Sequence, residues 1–413
     1  MQVRQWFRYG SVVVALSVGV AASGGWLATN GGEASRSPAA PRVGSAATQR
    51  PVADAFFRPV YASYGGTPLT PAQEGARYRV IILNPADAAL IPALKAGNPG
   101  LKVLTLIDMM STDPNDPAGA ANWVGYTDAS ENHPGWFLTD PDGNRLKFQH
   151  FPQALVMDVG NAEYQQAGLA SVIAQLKAGG FDGVLLDDAN ASLRWVIAGG
   201  SAECAKYPTD QLWQAAVYSF LRNVAPALRR AGLLVVANIG GSTSTSGGVW
   251  QKWNGPLDGA MEESFTNGGI GRDSIRNGEW LPKFRHAVWS EAHQKISLDH
   301  ARTRTRGGAR YGLATMLLAA NGNNSFYASE HYATEVWWPE YRTARALGRP
   351  LGGARVLENG VYRRNFEHGA VLVNPHAHRA SRVQLGGLYS GSGRHNITNV
   401  TLRATSGVVL KKS

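Results

Sequence analysis

Leu233-Leu234-Val235-Val236-Ala237 is apolar at every position, and Arg79-Val80-Ile81-Ile82-Leu83 has the same continuous character after its first residue. A strand with one face in water alternates apolar and polar side chains. One that is apolar throughout is covered on both faces, as in a parallel sheet flanked by helices. Outward from these stretches one plan recurs between Phe56 and His300: a short apolar run, a polar or glycine-rich end, then a stretch of helical character. The runs cover residues 56–64, 78–84, 101–108, 155–161, 181–190, 233–241, 257–265 and 295–300. Residues 162–178 and 210–231 between them have the length and 3.6-residue spacing of helices. Eight strand–helix units in about 250 residues is the size of a (β/α)8 TIM barrel. No Gly-x-Gly-x-x-Gly follows the first run and no phosphate loop occurs, so an open doubly wound sheet has no support.

Residues 109–154 are too long for a plain connection and carry Trp123, Tyr126, Trp136 and Phe137. Asp142-Gly143 sits between Trp136-Phe137-Leu138-Thr139 and Arg145-Leu146-Lys147-Phe148, a hairpin signal. Such an excursion at the C-terminal end of a barrel strand is expected to overhang the mouth and shape a cleft. Residues 308–320 read as the last barrel helix. From 357 onward short alternating runs at 360–366, 369–373, 382–385, 400–402 and 408–410 predict a small C-terminal antiparallel β domain.

The N-terminus has a targeting pattern: Arg4 and Arg8, an apolar stretch from Val12 to Ala22, then small residues at Ala21-Ala22-Ser23. Counted on through Leu27, the apolar run approaches a membrane span, so residues 1–29 are read as a signal peptide or a membrane anchor, and the chain as secreted or surface-anchored. Residues 30–50, rich in Gly, Ser, Ala and Pro, are a flexible linker. That leaves 51–339 for the barrel and 340–413 for the β domain.

The net charge of +10 divides unevenly, with +4 on residues 1–50, −3 on 51–339 and +9 on 340–413. The basic surplus lies outside the barrel of an exported chain, which argues against nucleic acid as partner. It suits either an anionic surface polymer or a plain solvated face. Cys204 is the only cysteine, which excludes an intrachain disulfide and a cysteine-based zinc or iron–sulfur site. His-Glu-x-x-His and Gly-x-Ser-x-Gly are both missing, and neither metal nor cofactor is expected.

Polar residues gather where the runs end, which in a barrel is the active face. They are Tyr61, Asn84, Asp108, Asp158 with Asn161, Asp187 with Asp188 and Asn190, Asn238, Glu262 with Glu263, and Asp299 with His300. Buried polar groups cost free energy unless satisfied, so such a ring is better explained by a polar ligand than by packing. Sugar hydroxyls both donate and accept, which suits carboxylates alternating with amides. The expected substrate-binding set is Tyr61, Asp108, Trp136, Asp158, Asp188, Asn190, Asn238, Glu262 and Asp299, with Trp136 stacking on a sugar face.

Two runs share a finer pattern. Phe181-Asp182-Gly183 leads to Asp187 and Leu257-Asp258-Gly259 leads to Glu263, each carboxylate five positions after the first Asp. Equal offsets bring Asp187 and Glu263 to equal heights, as glycosidic cleavage requires: one carboxyl as proton donor, one as nucleophile or base. Asp188 and Glu262 have the opposite parity and are expected either to point toward the helix layer or to lie in a bend as supporting groups. Asp187, the shorter side chain, is expected to be the ionised member, and Glu263, with Phe265 nearby in sequence, the acid.

Trp136-Phe137-Leu138 with Asp142-Gly143, Val156-Met157-Asp158-Val159-Gly160-Asn161, Gly180-Phe181-Asp182-Gly183-Val184 through Asp187-Asp188, Asp258-Gly259 through Glu263-Ser264-Phe265, and Val371-Leu372-Val373-Asn374-Pro375 together resemble hypothetical glycosyl hydrolase family 15. More distantly the chain is similar to glycoside hydrolase family 114, the endo-α-1,4-polygalactosaminidases. The resemblance spans residues 56–410 and implies a secreted barrel with catalytic Asp187 and Glu263, acting on an extracellular or cell-wall polysaccharide. Asn190 stands where family 114 often has an acidic residue. A barrel that binds glycans without cleaving them, and a surface-attached structural protein, are the alternatives. The sequence leaves sugar, linkage and oligomeric state open.

Overall fold

The computed structural model describes residues 54–61, 69–240, 248–267, 275, 277–332 and 336–413. The expected signal or anchor at 1–29 and the linker at 30–50 lie outside the described residues. Among those described, no helix is long and apolar enough to cross a membrane.

Eight parallel strands form one sheet among the described residues: β1 (Phe57–Tyr61), β2 (Val80–Leu83), β3 (Lys102–Asp108), β4 (Gly183–Asn190), β5 (Leu234–Gly240), β6 (Gly259–Glu262), β7 (Ile296–Arg302) and β8 (Asn324–Ser329). They pair in chain order, and a parallel bridge between Phe56 and Phe326 joins the last to the first, with the Phe326 amide donating to Ala55 O at 3.0 Å. Helices follow the strands: α1 (Pro71–Gly75), α2 (Ile91–Gly97), α3 (Ala162–Gly179), α4 (Asp210–Arg230), α5 (Val249–Asn254), α6 (Asn277–Ala292), α7 (Arg306–Ala319) and α8 (Pro339–Arg345). The continuously apolar runs are buried on both faces; Val80, Ile81, Ile82 and Leu83 are all buried between barrel interior and helices. Side-chain caps start α3, α4 and α7. Asn161 accepts the Glu163 amide at 2.9 Å at α3, and Thr305 accepts the Gly308 amide at 3.1 Å at α7.

The barrel differs from the sequence expectation at two places. Residues 155–161 are not a barrel strand: Phe151–Val156 belongs to a separate three-stranded antiparallel sheet with Ser111–Thr112 and Lys147–Phe148. An apolar run says that a segment is buried, not which partner buries it, and here the partner is the excursion itself. The eighth strand is β8, so the barrel runs past His300 to Ser329. The expected hairpin is present: Thr139 pairs antiparallel with Arg145, and Asp140 Oδ1 accepts the amides of Asp142 and Asn144 at 3.0 and 2.8 Å around Gly143, whose φ is +86°.

The Asp-Gly repeat has a structural basis at the lower ends of β4 and β6. Asp182 accepts the Val103 amide of β3 at 2.8 Å, and Asp258 accepts the Val235 amide of β5 at 2.9 Å, so each ties its strand to the preceding one. A Cβ on Gly183 would stand 2.2 Å from Leu234 O, and one on Gly259 2.3 Å from Ile296 O. The next strand therefore approaches both glycines too closely for any side chain.

The C-terminal β domain is a six-stranded sheet with a core of Val361, Leu372, Val383, Leu385, Val400, Leu402, Val408 and Leu410. It is docked on α7. Buried Arg364 donates to the last-turn carbonyls Leu317 O and Ala320 O at 3.0 and 2.6 Å, satisfying groups that a helix end leaves open.

Candidate active site

Asp108 and Asp187 stand side by side in the register of β3 and β4. Next along the sheet comes Asn238 on β5, then Glu263, the first residue after β6, then Arg302 at the end of β7. One nitrogen of Asn238 binds the central pair: Nδ2 donates to Asp187 Oδ1 at 2.9 Å and to Glu263 Oε2 at 3.2 Å. The other Glu263 oxygen, Oε1, accepts from Arg302 Nη1 at 2.9 Å. Asp187, Asp188 and Glu263 each keep partial solvent access, so a ligand can reach them.

Asp188 reaches the site through a break in strand geometry. The β4–β5 register shifts between Leu186 and Ala189, and Asp188 has φ +60°, a left-handed conformation that costs a non-glycine residue energy. Without that bulge strict alternation would turn its carboxyl to the helices. Its Oδ1 accepts Asn190 Nδ2 at 3.3 Å. Gly240 makes room for that amide, since a Cβ there would fall 2.2 Å from Asn190 Oδ1.

Crowding carboxyls in a closed space makes some of them hold protons. Burial, then the charge of Glu263, raises Asp187 to about 7. Burial, then the charges of Asp187, Asp108 and Glu263, pushes Asp188 well above the usual carboxylate range. Burial raises Asp108 to about 6 against hydrogen bonds from the Ser111 hydroxyl and the Met110 and Ser111 amides, the amides at 2.7 and 3.1 Å. Glu263 is the partner of a guanidinium, while Asp187 and Asp188 are the carboxyls that burial and neighbouring charge push toward the protonated form.

Other expected residues sit elsewhere. Glu262 faces the helix layer, as its parity indicates, paired with Lys283 Nζ and, at 3.3 Å, with His286 Nδ1. Asp299 is in register with Glu262 and shares that side, accepting Ser297 Oγ at 2.9 Å and Asn324 Nδ2 at 3.4 Å. Neither joins the Asp187–Glu263 cluster. Asp158 follows the excursion sheet and is engaged by Lys206 Nζ and the Tyr207 hydroxyl. Trp136 is buried, its ring stacked on His133 at 3.7 Å and edge-on to Tyr164 at 6.0 Å. Tyr164 lies in the fields of both Asp108 and Asp158, which links this group to the mouth. Tyr61 closes β1, and its side chain lies outside the described residues.

The sequence reading passed over Arg302 and Tyr332. It ended β7 at His300, although alternation continued by two residues brings Arg302 to the same side. Burial, then the charges of Glu263 and Asp187, raises the Tyr332 phenol well above its usual value, and its carbonyl accepts Arg58 Nη1 at 3.0 Å.

An eight-stranded parallel barrel with carboxyls and amides collected at the C-terminal strand ends defines a glycosidase-type barrel. The chain belongs to hypothetical glycosyl hydrolase family 15, whose profile matches residues 95–370. Among solved structures it is similar to the glycoside hydrolase domain of PelA from Pseudomonas aeruginosa, at 16% identity over 68% of this chain and 96% of that one, TM-score 0.45. It is also similar to the cycloalternan-degrading enzyme from Trueperella pyogenes, at 12% identity over 88% and 61%, TM-score 0.49. A third likeness is to the alpha-amylase from Geobacillus thermoleovorans, at 10% identity over 88% and 99%, TM-score 0.45. No curated protein matches.

Proposed function

We propose that this chain is a secreted glycoside hydrolase that cleaves an extracellular or cell-wall polysaccharide with Asp187 and Glu263 as its two carboxyls, retaining the anomeric configuration. The observation that carries the reading is the shared Asn238 nitrogen. At 2.9 and 3.2 Å from Asp187 Oδ1 and Glu263 Oε2, it limits the separation of those oxygens to about 6.1 Å. That bound on the two bridged oxygens accommodates the ~5–5.5 Å of retaining pairs. One carboxylate bonds to the anomeric carbon as the glycosidic C–O bond breaks, and the other gives its proton to the leaving oxygen. Water, deprotonated by that second carboxyl, then releases the sugar.

Asp108, Asp188, Asn190 and Asn238 serve as hydroxyl partners in this reading. Buried Asn238 Oδ1 has no hydrogen-bond partner among the described residues. The basic, apolar start of the chain supports export. The test is release of reducing ends from a panel of extracellular and wall polysaccharides. Asp187→Asn and Glu263→Gln should each lower the rate by several powers of ten while costing no more than about 2 kcal/mol of stability. Tight binding without release, equal in wild type and both variants, would replace the hydrolase by a carbohydrate-binding barrel.

A further inference from the structure

We infer that Arg302 and Asn267 form a positioning device for Glu263, in which Asn267 fixes the end of β7 and Arg302 holds the carboxylate. The inference rests on the hydrolase reading for its purpose, but its geometry stands independently. Glu263 is gripped at both oxygens, by Arg302 Nη1 at 2.9 Å on Oε1 and by Asn238 Nδ2 at 3.2 Å on Oε2. A carboxylate so held has no free rotation about its last bond.

The grip depends on where Arg302 stands, and that is set by a side chain four residues after Glu263. Asn267 is buried; its Oδ1 accepts the Arg302 amide at 2.9 Å and its Nδ2 donates to the Arg302 carbonyl at 2.8 Å. The amide thus pairs with both backbone groups of Arg302 as a neighbouring strand would. It does so where β6 has already ended, at Glu262. One connection therefore supplies both the carboxylate and the clamp for its cation, so the two move as a unit. Aspartate in place of Asn267 would lack the donor, and alanine would lack both bonds. On the other side β7 is held by β8, with Arg302 in register with Ser329.

Arg302 also accounts for the sign of the charge around it. Asp187 and Asp188 on β4 and Asp108 on β3 place carboxyls across the mouth, and Glu330 after β8 is paired with Arg304. Burial, then the charge of Arg302, depresses His300 to about 3, so that ring is neutral. Arg58 on β1 is occupied by the Tyr327 hydroxyl and Tyr332 O. Among the described residues, Arg302 is the cation in direct contact with either member of the Asp187–Glu263 pair.

The test compares wild type with Arg302→Gln, Arg302→Lys and Asn267→Asp, reading two quantities. The first is the carboxyl titration of Glu263 by 13C NMR of labelled glutamate, assigned with Glu263→Gln, which needs no substrate. Losing an opposite charge at this distance should move that midpoint up by about one unit or more in Arg302→Gln and much less in Arg302→Lys. The second is the split of kinetic constants. Arg302→Gln should lower kcat at least about tenfold with KM changed less than about threefold. Asn267→Asp should fall between wild type and Arg302→Gln in both quantities. A Glu263 midpoint unmoved in a folded Arg302→Gln protein overturns the inference, and so does a loss of rate fully explained by KM. If the midpoint moves but wild type cleaves no glycan, the positioning device stands and the hydrolase reading falls.

Discussion

The Asn238 side chain donates through one nitrogen to Asp187 Oδ1 at 2.9 Å and to Glu263 Oε2 at 3.2 Å, so two carboxyls on neighbouring parts of the barrel share a neutral donor. An amide lowers the repulsion between them without adding a charge. Burial and then the charge of Glu263 outweigh that hydrogen bond and raise Asp187 to about 7.

The first prediction follows from the separation that this bridge enforces. The sugar first released should keep the anomeric configuration of the bond cleaved, read by 1H NMR before mutarotation. An inverted first product would mean that the carboxyls part by several ångströms in the working enzyme, and the retaining assignment would be lost.

The second concerns pH and stability. Asp187 titrates at about 7 in the fold, against about 3.9 for an unfolded aspartate. Between those values the folded chain holds a proton that the unfolded chain has lost, so stability falls as pH rises from about 4 to about 7 and then levels. Asp187→Asn cannot ionise. It should melt near the wild-type temperature at pH 4 and several degrees above it at pH 8. An equal gain at both pH values would attribute the change to something other than ionisation.

Glu262 and Asp299 give the third prediction, since both lie on the helix side of the sheet. Burial alone would raise Glu262, but Lys283 and His286 override it and hold the carboxyl below its usual range. Its stabilising share is therefore present above the unfolded value of about 4.3 and lost as pH falls through the folded one. Glu262→Gln leaves the Lys283 ammonium buried without its counter-charge and should cost about 3–5 kcal/mol. Asp299, raised to about 7 by burial, behaves oppositely, and Asp299→Asn should stabilise above pH 7. Turnover per folded molecule should stay within about threefold of wild type in both variants. A hundredfold loss in either would bring that residue back into the catalytic site.

These placements show what the sequence carried and what it did not. The barrel was legible because runs such as 233–237 are apolar on both faces, a pattern that only a covered strand needs. β8 was not, because Asn324-Ser325-Phe326-Tyr327-Ala328-Ser329 is half polar. Two of its polar side chains pair inside, Asn324 Nδ2 with Asp299 and Ser329 with His300, and no periodicity announces that. Asp187 and Glu263 were legible through the Asp-Gly repeat, which marks equal heights on β4 and β6. Arg302 was missed because its role depends on where β7 ends. Asp188 was expected at the site, but how it reaches it was not legible, because a left-handed residue breaks the alternation used to orient its neighbours.

The last prediction decides which carboxyl delivers the proton. Side-chain length favoured Glu263 as acid, whereas in the free site Glu263 faces Arg302 and Asp187 is raised to about 7. A leaving group such as fluoride departs without a proton, so it bypasses the acid but still requires the nucleophile. On a glycosyl fluoride of the cleaved sugar, Asp187→Asn should recover most of the rate it lost on the natural glycan, and Glu263→Gln should not. In wild type, kcat/KM on the natural glycan should fall with a midpoint near pH 7, as Asp187 loses its proton. That limb should be missing for the fluoride. Recovery by Glu263→Gln instead would mean that bound substrate draws Arg302 away from Glu263 and hands it the proton. The pH limb near 7 would then appear as a rise in activity, since Asp187 would have to ionise before it could attack.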